Sequence, residues 1–379
     1  MSNYIDPTNP FGFEIDFLPV GNGDRSGDAI CMRWGYNLQS DHPDQFVMVV
    51  DGGFAETGDQ LVNHIPTYYK THTVNLVVNT HPHADHVRGL HAVLEQLFVK
   101  RLWIHQPWNH QELSTSFRNG RFIHRNTRPK LIDGLESAFL LVGKAKRKGV
   151  CVEEPFAPYR CDSGCGVAIS VLGPWKDTYD WLLPGFKALS RSVDSSGGNR
   201  VECDEKKLVA YWQKPLDENG ATSAENNSSV VLYLQLPNHL GGVLLTGDAG
   251  IPALHDVCAT ASRMNIDFTR ELQLFQIPHH GSIQNLTPQI LDALFGSKSQ
   301  AMLADGFQRF AYASVSEDSD CMHPSKHVIN ALCERNVTCF QTKGITMYHQ
   351  FGCVPKRQDT VLIPPCGPYS KVEWTYINQ

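Results

Sequence analysis

The chain has no long hydrophobic run. Its apolar stretches, such as Phe139-Leu140-Leu141-Val142, fall far short of the roughly 20 residues that a membrane-crossing helix needs. The segment from Met1 to Pro10 is polar and carries Asp6, so neither a secretory leader nor a membrane partner is expected. Cysteine pairing is also missing. The eleven cysteines are odd in number and scattered, and Cys161 and Cys165 form a close pair with no second pair to complete a zinc ribbon. Reduced thiols in a cytoplasmic protein are the expectation, with a local disulfide or a stray metal site as the alternative. Positive charge is short too: 33 Lys and Arg stand against 39 Asp and Glu, a net charge of -6. That balance excludes a generic nucleic-acid-coating protein but leaves room for a local basic groove.

What remains is ample for a core, with 379 residues, 41% hydrophobic and 10% aromatic. One domain over 1–379 is expected, with 106–150 and 175–222 as insertions or lid segments. The stretch from Trp175 to Thr222 is polar and shows too little apolar pattern for a core of its own.

One stretch organises the rest. Behind the apolar run Val74 to Asn79 stands Thr80-His81-Pro82-His83-Ala84-Asp85-His86. Three imidazoles and a carboxylate at the end of a buried strand would each be costly without a partner. Neutral imidazole and carboxylate are ligands that zinc, manganese and iron accept. His81 and His83 alternate, so both leave an extended strand end on one face. Leu90, Val93, Leu94 and Leu97 have helical spacing, which predicts a helix over Val87 to Phe98 with Asp85 and His86 at its start. Two metals are therefore expected, one on His81 and His83 and its neighbour on Asp85 and His86.

Earlier in the chain, Phe13 to Val20, Ala29 to Trp34 and Phe46 to Val50 read as a meander whose turns place Asp24 and Asp51 beside glycines. Turn formation alone explains both. The functional readings are a substrate-facing carboxylate for Asp24 and a group orienting the ligand histidines for Asp51. Lys100 to Ile104 empties into a loop with His110, either a surface histidine or a further ligand. Arg118 to Lys130 is the most basic stretch and interleaves aromatics, which suits either a phosphate backbone or a solvated face. Leu135 to Lys148 reads as a helix. In the second half, Val230 to Leu234, Gly242 to Leu245 and Leu272 to Ile277 read as strands. Their polar ends are Asn226-Asn227-Ser228-Ser229, Thr246-Gly247-Asp248 and His279-His280-Gly281-Ser282.

These segments, with Val20-Gly21-Asn22-Gly23-Asp24, Val50-Asp51-Gly52-Gly53, His323-Pro324-Ser325 and Thr342-Lys343-Gly344-Ile345, resemble the metallo-β-lactamase superfamily. They look most like the soluble metallo-hydrolase domain of the DNA-uptake protein ComEC and its stand-alone relatives. The resemblance implies an α/β fold, a four-layer αββα sandwich. It implies two divalent cations, zinc first and manganese second, with Asp248 bridging them and His280 as the last ligand. His279 and His323 would then contact the substrate phosphate or the leaving group, and Asp85 could hold the nucleophile. Many relatives place a third histidine where this chain has Asn226, Asn227 and Ser228, so Asn227, His110 or water would complete the shell. The implied activity is a phosphodiesterase or nuclease cleaving DNA with a hydroxide activated by two metals. The alternatives are a small phosphodiester substrate (a nucleotide or a phosphocholine-type ester), or a metal-stabilised scaffold with protein partners in a DNA-uptake or defence complex.

Overall fold

A computed structural model describes residues 10–21, 23–114, 117–118, 121–122, 129–187, 216, 218–298, 308–319, 322–358 and 363–369. In the first half, β1 (Phe11–Phe17), β2 (Ala29–Tyr36) and β3 (Asp44–Gly52) form an antiparallel meander. Parallel to β3 then run β4 (Thr73–Val78), β5 (Phe98–Trp103) and, past a small hairpin of β6 (Phe117–Arg118) and β7 (Arg121–Phe122), β8 (Cys151–Glu153). The second half runs β9 (Tyr159–Asp162), β10 (Ala168–Gly173), β11 (Val231–Gln235) and β12 (Gly242–Leu245) antiparallel. It continues parallel through β13 (Leu272–Gln276), β14 (Arg309–Ala313) and β15 (Val337–Gln341). The last strand, β16 (Met347–Gly352), crosses back to pair with β1. The result is two mixed seven-stranded sheets.

The period-2 pattern explains how they stack. Phe13, Ile15 and Phe17 of β1 face Val171, Leu232, Val243 and Leu245 across the sandwich, where Phe17 stacks on Tyr312 at 4.8 Å. Helices Ala55–Tyr69, Leu90–Gln96 and Pro129–Arg147 cover the outer face of the first sheet. Ile251–Arg263, Pro288–Phe295 and Lys326–Cys333 cover the outer face of the second. This is a four-layer αββα sandwich.

Three elements differ from expectation. The metal-motif helix begins three residues early, as Ala84–Val87, and restarts at Leu90. Between the two pieces, Gly89 keeps helical angles and lies so close to the Gly52 carbonyl that a Cβ there would collide. The helix predicted from Leu135 begins at Pro129. The segment after Trp175 is not wholly irregular. Helix Lys176–Leu182 and the turn after it bury Tyr179, Leu183 and Phe186 against Leu131 and Leu135, a small core that the short apolar pattern concealed. Residues 188–215 lie outside the described residues, as do His124, Arg125 and Arg128 of the basic stretch.

On the outer face of β1, Glu14 and Asp16 are buried and pair with Arg33 and Arg357. His64 lies 3.1 Å from Asp16. Burial alone would raise the Asp16 carboxyl, but His64 and Arg357 outweigh it and hold the group at about 2. Burial opposes charge on His64 as well, and neighbouring Cys31 and Asp16 overcome it, raising His64 to about 10. The stabilisation from His64 is then full below its ordinary value of 6.5 and is lost as pH rises through about 10. The part from Asp16 is present above 3.8 and is lost as pH falls through about 2. Replacing His64 with glutamine should cost about 3 kcal/mol of stability at mildly acidic pH. The deficit should shrink on the alkaline side, as urea unfolding at two pH values would show; an equal deficit at both would refute the linkage. Among the described residues, no helix is long and apolar enough to cross a membrane.

Candidate metal centre

The metal motif is fixed from beneath by Asp51 at the end of β3. This buried carboxylate sits at φ 56 and accepts from Asn79 Nδ2 (3.1 Å), Thr80 N (2.8 Å) and Thr80 Oγ1 (2.5 Å). It also receives His86 Nδ1 at 2.7 Å, so Nε2 of that ring points the other way. Thr80 has one hydroxyl proton and gives it to Asp51. Its oxygen therefore accepts from His81 Nδ1, 3.0 Å away, which leaves the lone pair on His81 Nε2, 3.0 Å from His83 Nδ1. One carboxylate thus orients two histidines.

The second sheet supplies the opposite wall. Gln276 Oε1 accepts from the amides of Thr246 (2.8 Å) and Gly247 (3.1 Å), pinning the turn that carries Asp248. Its Nε2 donates to Asp28 Oδ2 at 2.8 Å. After β13 the chain turns sharply. His279, His280 and Gly281 have φ of 50, 57 and 83, the left-handed region that costs a non-glycine residue about 1–3 kcal/mol. Extended residues would send neighbouring rings to opposite faces, whereas this turn brings both histidines to the centre. Gly281 is required there, since a Cβ would press on Pro324 at 2.5 Å.

The two walls meet on Asp248, which is buried. Its Oδ2 faces His81 Nε2 at 3.6 Å, and its Oδ1 faces His86 Nε2 at 3.5 Å. Donors bound tetrahedrally at about 2.1 Å from one cation lie about 3.4 Å from each other. These gaps match that spacing and exceed a charge-assisted hydrogen bond. His86 Nε2, Asp248 Oδ1 and His280 Nδ1 are buried without hydrogen-bond partners. Such orphans are expensive unless a cation satisfies them. Donor atoms of His81, His83 and Asp248 cluster within 4.8 Å, as do those of Asp85, His86 and His280. The residues present fit two cations.

Electrostatics agree with that reading for Asp248, His81 and His280. Burial would raise Asp248, but His86, His279, His81 and His280 outweigh it and hold its carboxyl well below the usual range. Burial pushes His81 well below its ordinary value, aided by His86, and lowers His280 to about 4, so both rings offer lone pairs. For His86 burial works in the same direction, but Asp248 and Asp51 overcome it and raise the ring well above its ordinary value.

A family model described as the Metallo-beta-lactamase superfamily matches residues 41–139, from the loop before β3 through the metal motif into the helix Pro129–Arg147. The four-layer αββα sandwich is consistent with the fold of that superfamily. Solved structures with similarity include a metallo-beta-lactamase HARLDQ-motif mutant from Cronobacter sakazakii, 9% identical, covering 84% of this chain and 90% of that one, TM-score 0.33. Another is zinc-bound PqqB from Methylobacterium extorquens, 11% identical over 88% of this chain and 99% of that one, TM-score 0.40. A third is the long form RNase Z from yeast, 8% identical over 96% of this chain and 50% of that one, TM-score 0.35. Comparison with curated protein sequences finds no match.

Within this fold, His81, His83, Asp85, His86, Asp248 and His280 lie together. Asp51 lies beneath them. His323 sits just before Pro324, which packs on Gly281, while the next residue, Ser325, donates its amide to the Gly281 carbonyl at 2.8 Å. Two expectations need correction. His110 is not part of the cluster: its Nδ1 meets Asp180 at 2.5 Å and its Nε2 meets Glu154 at 3.0 Å, because helix Lys176–Leu182 captures the loop. Asn227 bonds Thr222 at 3.0 Å, and it is Asn226 that faces the centre, 3.4 Å from His279. Asp24 is exposed. The buried carboxylate from that loop is Asp28, whose donor atom clusters with those of Asp248 and His280. Burial, opposed by His86 and aided by Asp248 and Asp51, raises Asp28 to about 7. The signal for it was the second Gly-Asp pair, Gly27-Asp28, directly before β2.

Proposed function

We propose that this chain is a metal-dependent phosphodiesterase with DNA as its leading substrate. The observation that carries the metal-dependent part is the division of the Asp248 carboxylate, one oxygen toward His81 and the other toward His86, each at a ligand-to-ligand spacing. Two divalent cations, zinc or manganese, would supply hydroxide at neutral pH and neutralise charge on the phosphoryl oxygens. His81, His83 and Asp248 would hold one of them; Asp85, His86, His280 and Asp248 the other. Asp51 and Thr80 keep the histidine lone pairs aimed inward, so little reorganisation accompanies binding. His323, next to Pro324, which packs against Gly281, would meet the leaving group. Choice of DNA rests on the ComEC-like segments and the basic stretch from Arg118 to Lys130. The nine described cysteines are free thiols, which supports a cytoplasmic setting.

The test is hydrolysis of labelled single- and double-stranded DNA, and of bis(p-nitrophenyl) phosphate, with zinc or manganese, by wild type and Asp85→Ala. DNA cleavage in wild type that Asp85→Ala lowers by about 100-fold or more supports the nuclease. Turnover of the reporter with intact DNA would shift the substrate to a small phosphodiester. Silence on both substrates from metal-loaded protein would refute the phosphodiesterase and favour the scaffold.

A further inference from the structure

The ring of His279 has a fixed tautomer, and a fully buried asparagine sets it. Asn285 donates its Nδ2 to two main-chain carbonyls, those of Asp248 (3.1 Å) and Ala249 (3.0 Å). Its amide therefore cannot flip without losing both bonds, and its Oδ1 is the acceptor. That oxygen lies 3.1 Å from His279 Nδ1, so Nδ1 carries a proton and Nε2 is the nitrogen that bears the lone pair in the neutral ring. The lone pair is aimed at Asp248 Oδ2 across 3.8 Å, the same oxygen that His81 Nε2 faces at 3.6 Å.

A lone pair and a carboxylate oxygen repel, and this separation is too long for a shared proton. A cation between them turns the repulsion into attraction. The neutral tautomer is likewise a poor fit to a phosphate contact, because it presents an acceptor, not a donor, to an anion. The left-handed backbone that swings His279 inward adds strain that a mere surface contact would not repay. Asn226, where a third histidine would stand in many relatives, sets its side-chain amide 3.4 Å from the same Nδ1; with the Nδ1 proton turned to Asn285, that amide faces the ring through its oxygen, which otherwise has no partner.

We propose that His279 is the fourth protein donor of the first cation pocket, with His81, His83 and Asp248, and that Asn285 is its positioning residue. The proposal rests on the two-cation reading above. It replaces the phosphate-contact role expected for His279 from the sequence. With zinc, four protein donors close that pocket, and the position open to substrate falls to the pocket of Asp85, His86 and His280.

The test counts ions rather than turnover. Dialysed wild type, His279→Gln and His83→Gln would be titrated with zinc against a chromophoric chelator, and metal content measured per chain. His279→Gln should keep one tight equivalent and weaken the other by more than ~100-fold, beyond the cost of losing an orienting neighbour, as His83→Gln should too. Two tight equivalents in His279→Gln beside one in His83→Gln would overturn the proposal and leave the two-cation reading intact. No tight binding by wild type would sink that reading and the proposal with it. Should His279→Gln not fold, cobalt-substituted wild type decides by NMR. Each ligand histidine then gives a hyperfine-shifted ring N–H, and the absence of one assignable to His279 Nδ1 would refute its ligation.

Discussion

Asp248→Ala is expected to abolish binding of both cations and to lower phosphodiester hydrolysis by on the order of 10³-fold, about 4 kcal/mol of barrier. The reason is geometric. Among the described residues, Asp248 is the side chain that sets one oxygen toward His81 Nε2 and the other toward His86 Nε2. Asp248→Asn is the sharper variant. An amide has one oxygen and one NH₂ group, so it can ligate on one side only and presents a donor to the other. That variant should retain a single ion, with hydrolysis nearly as low as in the alanine variant. Metal content per chain, read beside reporter turnover, checks both expectations. Two retained ions in Asp248→Asn would show that the carboxylate does not bridge.

The second large effect is expected at Asp51, which touches neither substrate nor either cation in this scheme. Asp51→Ala removes the acceptor for Asn79, Thr80 and His86, all buried. Leaving those donors unpaired should cost about 3–5 kcal/mol of stability. The histidines then lose their fixed tautomers, and cation affinity should fall by about 10–100-fold. Asp51→Asn keeps the volume yet sets an NH₂ group against Thr80 Oγ1 and His86 Nδ1, so it should lose affinity almost as fully. Thermal unfolding of the metal-free variants and chelator competition separate the two effects. Normal cation affinity in Asp51→Asn would mean that His86 is oriented by packing alone.

The metal motif was legible because its donors are contiguous and stand at the end of an apolar run, so local sequence carries the geometry. The layered fold was legible for a similar reason: each half alternates strands and helices with clear polar ends. What escaped depends on contacts between distant segments. Asp28 lies in a loop with two Gly-Asp pairs, and only the docking of Gln276 from the other sheet shows which one is buried. His110 was open to the metal until a helix some seventy residues later supplied Asp180. Asn226 and Asn227 are neighbours of the same type, and the cap that Ser223 makes on the Asn226 amide starts the short helix that decides which faces inward. The role of His279 was hidden for the same reason, since its tautomer is set by Asn285 through carbonyls of a third segment.

His81, His83, Asp85 and His86 follow β4 of one sheet, while Asp248, His279 and His280 follow β12 and β13 of the other. The distance between the two sets of donors is therefore the thickness of the layer that separates the sheets. Phe17 stacked on Tyr312, with Val78, Leu232 and Leu245, makes up that layer. These apolar side chains act as a ruler: their bulk sets the gap across which Asp248 must reach His81 and His86. A methylene added or removed far from any donor would be felt as a change in cage width, because close-packed interiors transmit strain instead of absorbing it. Hydrocarbon, in this protein, calibrates coordination chemistry.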